Sequence, residues 1–141
     1  MLYKRIPRDV ESSDFLPKLR DAVFDLWFGT DKLAERHVSD SLDSTTTATQ
    51  TLQLISVPDS TTVHVHSTVI GMSSDRASYE IAGTFYRDGS TAQEGATTVI
   101  HSIESDATWN ASFDVFENDI RVRISGVALW RCHSTVTFLT N

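Results

Sequence analysis

Between residues 52 and 138 the sequence alternates between apolar and polar residues with a period of two, and turn signals interrupt it at short intervals. Successive side chains of a β-strand point to opposite faces, so this pattern is typical of strands that are buried on one face only. Asp88-Gly89 and Asn118-Asp119 are typical of tight turns between such strands. The pattern predicts a mainly β fold with seven or eight antiparallel strands, an antiparallel β-sandwich or jelly roll.

Composition and charge narrow the class of protein. The chain has 141 residues, of which 40% are hydrophobic and 22% charged, which predicts a globular protein of about one domain's size. Its formal net charge of −7 disfavours nucleic acid or an anionic membrane as a partner. No apolar run approaches the roughly 20 residues of a membrane span, and the segment Met1–Arg8 lacks the apolar core of a secretory signal. The single cysteine, Cys132, leaves no intrachain disulfide, so we expect a soluble protein made in a reducing compartment.

The first part of the chain has a different pattern. Residues 1–12 carry basic and apolar side chains around Pro7 and predict a short extended arm. Residues 13–29 place apolar side chains at helical spacing and end at a glycine, which predicts one amphipathic helix. The apolar stripe of this helix is wide, so the helix either covers an edge of the β domain or packs against a second subunit.

The stretch that follows the predicted helix is small and polar. Residues 30–50 contain few apolar side chains and predict a linker, with a short helical turn around residues 31–36. We therefore divide the chain into an N-terminal arm, helix and linker at residues 1–50 and an antiparallel β-sandwich domain at residues 51–141.

The basic arm is a candidate for contact with another protein. It is either a disordered terminus or an extended segment that docks on an acidic surface through strand hydrogen bonds and ion pairs. Together with the aromatic end of the helix it gives the predicted partner-binding residues. These are Leu2, Tyr3, Lys4, Arg5, Ile6, Arg8, Phe24, Trp27 and Phe28.

Histidines are the candidate metal ligands. His64 and His66 lie on one face of a predicted strand, about 7 Å apart, and His101 and His133 lie on other strands. Two imidazoles at this spacing plus a third ligand can hold a metal, but no carboxylate belongs to the same short motif. We therefore expect no metal and no cofactor, with the histidines at polar positions of a sheet that faces solvent or another subunit. A symmetric trimer could still bring three copies of one histidine together.

No catalytic motif accompanies these residues. The sequence contains no Gly-x-Ser-x-Gly elbow and no glycine-rich phosphate loop. His133 and Ser134 are consecutive strand residues that point to opposite faces, and Cys132 alternates in phase with Trp130, which predicts a buried, inert thiol. The sequence thus predicts that the protein is not an enzyme and has no catalytic residues.

The second half of the chain contains four further motifs. They are an aromatic strand that ends in Arg87-Asp88-Gly89, Trp109 at the start of a hairpin, the strand Ile120-Arg-Val-Arg-Ile-Ser-Gly126, and Trp130 in the last strand. These motifs resemble a β domain found at the C-terminus of virion structural proteins of tailed phages. The resemblance covers roughly residues 60–141 and is structural in character.

The resemblance implies a virion location, after synthesis in the cytoplasm of the host bacterium, and a protein without nucleic-acid or membrane partners. The β domain that the chain resembles occurs in tail fibres, in spikes and in head-associated proteins. We expect first a capsid decoration (cement) protein, likewise non-enzymatic, that self-associates as a homotrimer and stabilises the shell by binding the major capsid protein or other virion proteins. The alternatives are a tail fibre or tail-accessory subunit, or a carbohydrate-binding receptor-recognition module in which Tyr86, Trp109 or Trp130 stacks on a sugar ring. For both tryptophans we prefer packing in the core of the sandwich.

Overall fold

The structure, a computed structural model, describes residues 33–140, and these form an all-β antiparallel sandwich. The predicted fold class is therefore confirmed. The described part of the chain contains no helix long and apolar enough to cross a membrane. The strands are β1 (Leu33–Asp43), β2 (Gln50–Ser56), β3 (Thr61–Met72), β4 (Arg76–Arg87), β5 (Gln93–Glu104), β6 (Asn110–Phe116), β7 (Asp119–Ser125) and β8 (Leu129–Thr140).

Two sheets of unequal width make up the sandwich. The larger sheet has the strand order β1-β8-β3-β4-β5, and the smaller sheet has the order β2-β7-β6. All pairs are antiparallel, and β3-β4, β4-β5 and β6-β7 are hairpins of consecutive strands. Strand β8 returns to lie between β1 and β3, so the two ends of the described chain are neighbours in the larger sheet.

Strand β1 corrects the predicted linker and helical turn. Residues 33–43 pair with β8 along their whole length, from Leu33 opposite Leu139 to Asp43 opposite Leu129. On the inward face of β1 apolar side chains recur only every fourth residue, at Ala34, Val38 and Leu42. This spacing hides the period of two and explains why the sequence pattern gave no strand here.

The core is rich in aromatic residues. Trp130 is fully buried between the sheets, with its ring centroid 5.3 Å from that of Trp109 and 6.4 Å from that of Tyr79. The Nε1–H of Trp130 donates to the carbonyl of Gly126 at 3.1 Å. Both tryptophans thus pack in the core, as the sequence pattern favoured, and neither presents a face on which a sugar ring could stack.

A small polar cluster is buried beside these rings. Ser134 donates to Oε1 of Gln53 and lies 2.6 Å from the hydroxyl of Ser67, while Nε2 of Gln53 has no hydrogen-bond partner. Gln53 points inward because a β-bulge between Thr51 and Gln53 shifts the register of β2. The same bulge turns Leu54 outward, where 57% of it is exposed, although the alternation placed Leu54 on the same face as Leu52.

Candidate interaction surfaces

The outer face of the five-stranded sheet carries all five histidines of the chain. The strand registers align their side chains in three successive rows that run across β1, β8, β3, β4 and β5. We call these fifteen positions the histidine belt. Its rows are Glu35, Thr137, His64, Thr84 and Ala96; His37, Thr135, His66, Ala82 and Thr98; and Ser39, His133, Thr68, Glu80 and His101.

The belt is broad, flat and polar. Four strand spacings make it about 19 Å wide, and three rows make it about 14 Å high. Besides the five histidines and two glutamates, the belt consists of five threonines, one serine and two alanines. No side chain within it is a large apolar residue, which distinguishes it from a surface that buries hydrophobic area against another protein.

Direct contacts fix several of the imidazoles. The rings of His37 and His133 stack with their centroids 5.5 Å apart. Nε2 of His37 lies 2.8 Å from a carboxylate oxygen of Glu35, and Nδ1 of His133 lies 2.9 Å from the hydroxyl of Ser39. Across the sheet Nε2 of His66 lies 3.2 Å from the carboxylate of Glu80. These imidazole contacts connect β1 with β8 and β3 with β4.

The charge of the belt depends on pH more than that of any other part of the described surface. With neutral imidazoles the two glutamates give −2, and with five imidazolium groups the sum is 5 − 2 = +3. The same protonation takes the formal charge of the chain from −7 to −2. Imidazole is the side chain whose charge ordinarily changes between about pH 5 and pH 8.

Strand β5 forms the second surface. All twelve of its residues are exposed, on both faces of the sheet. Its exposed aliphatic side chains include Val99 at 55%, Ile100 at 54% and Ile103 at 62%. From Ala96 to Ile103 the strand carries no lysine, proline or carboxylate, and we call this stretch the edge strip.

The edge strip is exposed because the two sheets differ in width. Five strands span about 19 Å between their outermost axes, whereas three strands span about 10 Å. The smaller sheet therefore covers the centre of the larger one and leaves β5 without a buried side chain. Two register shifts, opposite Glu80/Ile81 and Thr84/Phe85, interrupt the ladder between β4 and β5 and bend the strand.

The described residues form no metal cluster, and the buried groups are not ionised. Among residues 33–140 no group of three or more histidine, cysteine, aspartate or glutamate side chains is arranged to hold a metal ion. Cys132 is buried, as predicted, and burial raises the pKa of its thiol. Burial likewise raises the pKa of the Tyr79 hydroxyl. His133 and Ser134 face opposite sides of the sheet, as predicted.

Two carboxylates hold loops and strands rather than facing a cleft. Asp59 accepts backbone N–H groups of Gly89 at 2.6 Å and Ser60 at 2.9 Å, and these bonds keep its pKa below the ordinary value. Asp114 accepts two hydrogen bonds from Arg121 at 2.6 and 2.7 Å, which raise the pKa of that guanidinium group. Both carboxylates are thus already used in hydrogen bonds that connect neighbouring turns or strands.

The structure describes the predicted histidines but not the predicted partner-binding residues. The nine predicted partner-binding residues, like the arm at 1–12 and the helix at 13–29, lie outside the described residues. His64 and His66 do share one face, as predicted, and the register brings His101 and His133 to the same face. The sequence pattern missed His37, because it falls in the segment predicted as a linker.

Comparisons with known proteins give only distant similarities. No protein family matches the chain, and no curated protein is similar to it in sequence. One similar structure is the tailspike protein gp49 of Acinetobacter baumannii bacteriophage Fri1, a capsular polysaccharide depolymerase, at 12% identity over 84% of this chain with a TM-score of 0.46. Another is the tailspike protein of Acinetobacter phage vB_ApiP_P1, at 15% identity over 76% of this chain with a TM-score of 0.38. The chain spans 21% of the length of each.

These similarities bear on two predictions. The prediction that the chain is not an enzyme is contradicted by the first structure, in which the matching segment is part of a depolymerase. At this identity and TM-score the match assigns no activity to the present chain. Both structures are phage tailspike proteins, and neither is a capsid decoration protein.

Proposed function

We propose that the chain is a structural module of a tailed-phage virion, associated with the tail, and that copies of it meet along the edge strip. The phage setting is supported by the sequence motifs of residues 60–141. In the structure these motifs hold the fold together: Trp109 and Trp130 fill the core, and Gly89 occupies a turn with a φ of 69°. Residues 1–12 remain the segment that we propose for contact with another virion protein.

The exposure of β5 carries the proposal. Natural proteins protect the outer strands of their sheets with lysine, proline, inward-pointing charges or β-bulges, because an unprotected edge attracts other chains. The edge strip lacks the first three, contains only one of the two register shifts of β5, and exposes three aliphatic side chains over half their surface. Burying each of them stabilises an assembly by on the order of 1 kcal/mol or more.

A second copy of this chain is the occupant that the charges favour. Two copies with a net charge of −7 repel each other, so their contact is best made where each surface is uncharged. A basic partner would be bound by acidic side chains, and the edge strip has none. Because the ladder of β5 is interrupted twice, we expect side-chain packing rather than one continuous sheet between the copies.

The tail position is the part of this proposal that electron microscopy tests directly. Antibody against the chain, labelled with gold, should bind the tail region of intact phage particles in electron micrographs. Labelling over the faces of the capsid, or no labelling of disrupted and intact particles alike, would refute the tail-associated role.

The role of the edge strip is tested by Ile103→Lys, with Leu54→Lys as the matched control. Both side chains are exposed aliphatic residues, at 62% and 57%, but Leu54 lies on β2 in the smaller sheet. We expect the unmodified chain and the control to share one oligomeric mass by light scattering and Ile103→Lys to be monomeric, with equal thermal stability. A monomeric unmodified chain, or equal loss of assembly in both variants, would contradict the proposal.

A further inference from the structure

We infer that the histidine belt binds an anionic polysaccharide, carrying carboxylate or sulfate groups, at mildly acidic pH and releases it near neutral pH. The belt shares Ala96, Thr98 and His101 with the edge strip, but the inference concerns the outer face of the sheet across all five strands and stands whether or not the chain belongs to a tail. Its basis is the placement of every histidine of the chain, on four strands, within three rows of one sheet face.

The arrangement is more ordered than a scatter of surface histidines. A shift of one residue in any of these strands would send its imidazoles to the core side, because strand side chains alternate. His133 is flanked by buried Cys132 and buried Ser134, and His64 is flanked by buried Val63 and Val65. The registers that bury the core therefore also gather the imidazoles on the outer face.

Few other charges compete with the imidazoles on this face. Strand β3 contributes no charged residue other than its histidines, and the glutamates of β5 lie at its ends, opposite inward-facing residues. Tyr86 is the other titratable group of the face. The charged side chains that share the face are Glu35 and Asp43 on β1, Arg131 on β8, and Arg76 and Glu80 on β4.

The sign of the pH dependence follows from these groups. With neutral imidazoles the belt has a charge of −2 within an acidic chain and repels a polyanion. Imidazole ordinarily changes charge between about pH 8 and pH 5, so acidification moves the charge of the belt towards its limit of +3. His37 and His133, which stack at 5.5 Å, then become like charges, and an anion placed over them relieves their repulsion.

Chemistry favours a polysaccharide over a nucleic acid. The belt contains no aromatic ring of phenylalanine, tyrosine or tryptophan on which bases could stack, and no lysine or arginine for a dense row of phosphates. Its six hydroxyl side chains can exchange hydrogen bonds with sugar hydroxyls. Its width of about 19 Å is several times that of one sugar ring, so one polymer chain can contact several imidazoles.

Binding is measured with hyaluronate as the probe, at pH 5.0 and 7.5, with uncharged dextran and duplex DNA in parallel. We expect hyaluronate to bind at least ten times more tightly at pH 5.0, because imidazolium groups attract its carboxylates, and dextran to bind at neither pH. Near-ultraviolet circular dichroism at both pH values establishes that the chain is folded. Equal affinity for hyaluronate at the two pH values, or equal affinity for dextran, would overturn the inference.

The matched variants are His37→Gln and Arg36→Gln, which remove one positive charge each at pH 5.0 from adjacent residues of β1. His37 lies in the belt, whereas the guanidinium of Arg36 lies on the other face, 5.1 Å from the ring centroid of Phe138. We expect His37→Gln to weaken hyaluronate binding about two- to fivefold, the effect of one exposed ion pair, and Arg36→Gln to leave it unchanged. Equal losses in both variants, or DNA binding as tight as hyaluronate binding, would refute a polysaccharide site on the belt.

Discussion

Gly71 and Trp130 lie opposite each other on β3 and β8, and the fit between them predicts strong coupling between two substitutions. A Cβ atom at Gly71 would lie 2.6 Å from Cζ3 and 2.8 Å from Cη2 of Trp130, both on the six-membered ring of the indole. Neither partner can move easily, because Trp130 is fully buried and is held by its hydrogen bond to Gly126. The perturbation is therefore Gly71→Ala, alone and combined with Trp130→Phe.

The cost of each change can be worked from these contacts. Gly71→Ala forces an extra methyl group into a filled core, which costs about 1–3 kcal/mol. Trp130→Phe leaves the buried carbonyl of Gly126 without its donor, which costs about 1–3 kcal/mol before the lost packing is added. A phenylalanine ring is smaller than an indole and does not fill the space that the six-membered ring of Trp130 occupies beside Gly71. It therefore leaves room for the new methyl group. We therefore expect the double variant to be about 1–2 kcal/mol more stable than the sum of the single effects predicts.

The assay is urea unfolding followed by far-ultraviolet circular dichroism on the four members of the cycle. Phe113→Leu serves as the control partner, because Phe113 packs edge-to-face against Phe85 at 5.5 Å and no atom of it is among the nearest neighbours of Gly71. Gly71→Ala and Phe113→Leu should add within about 0.5 kcal/mol. If Gly71→Ala and Trp130→Phe add equally well, close approach to the indole is not what requires glycine at this position.

Two further predictions concern single side chains. Cys132 is 3% exposed and burial raises the pKa of its thiol, so a thiol reagent should modify the native chain only at the rate at which it unfolds; modification at the rate seen in concentrated urea would show that the thiol is accessible. The lowered pKa of Asp59 contributes stability that is present above about pH 4 and is lost as the pH falls through the folded-state value. Asp59→Asn should therefore reduce the difference between the urea midpoints at pH 7 and pH 3, and an unchanged difference would show that Asp59 does not cause the acid sensitivity.

The alternation of residues was sufficient to predict the sandwich but not its edge. In β3, β4, β6, β7 and β8 most inward positions are apolar at every second residue, so the pattern placed these strands and the buried tryptophans correctly. Strand β1 escaped prediction because Arg36 and Asp40 take inward positions between Ala34, Val38 and Leu42. At the edge of the sheet their polar groups can still reach solvent, so an edge strand tolerates what a central strand does not.

The candidate surfaces depend on facts that no single strand contains. The sequence places His64 and His66 on one face, but only the pairing of β3 with β8, and of β8 with β1, sets them beside His133 and His37. The exposure of β5 likewise follows from the width of the opposite sheet and not from the composition of β5, whose aliphatic residues are typical of a buried strand. Local pattern thus predicts which side of a strand a residue occupies, whereas strand order decides what lies next to it.

Strand β1 contributes both to the histidine belt and to the pairing of the larger sheet. It supplies His37 and Glu35 to the belt, and it covers the edge of β8 along eleven register pairs. A domain that began at residue 51 would lose one of the five imidazoles and one of the two carboxylates of the belt, and it would expose the backbone hydrogen-bonding groups of β8. The segment that looks most like a linker in the sequence therefore both completes the belt and covers the edge of β8, so that β1 and β5 form the two edges of the larger sheet.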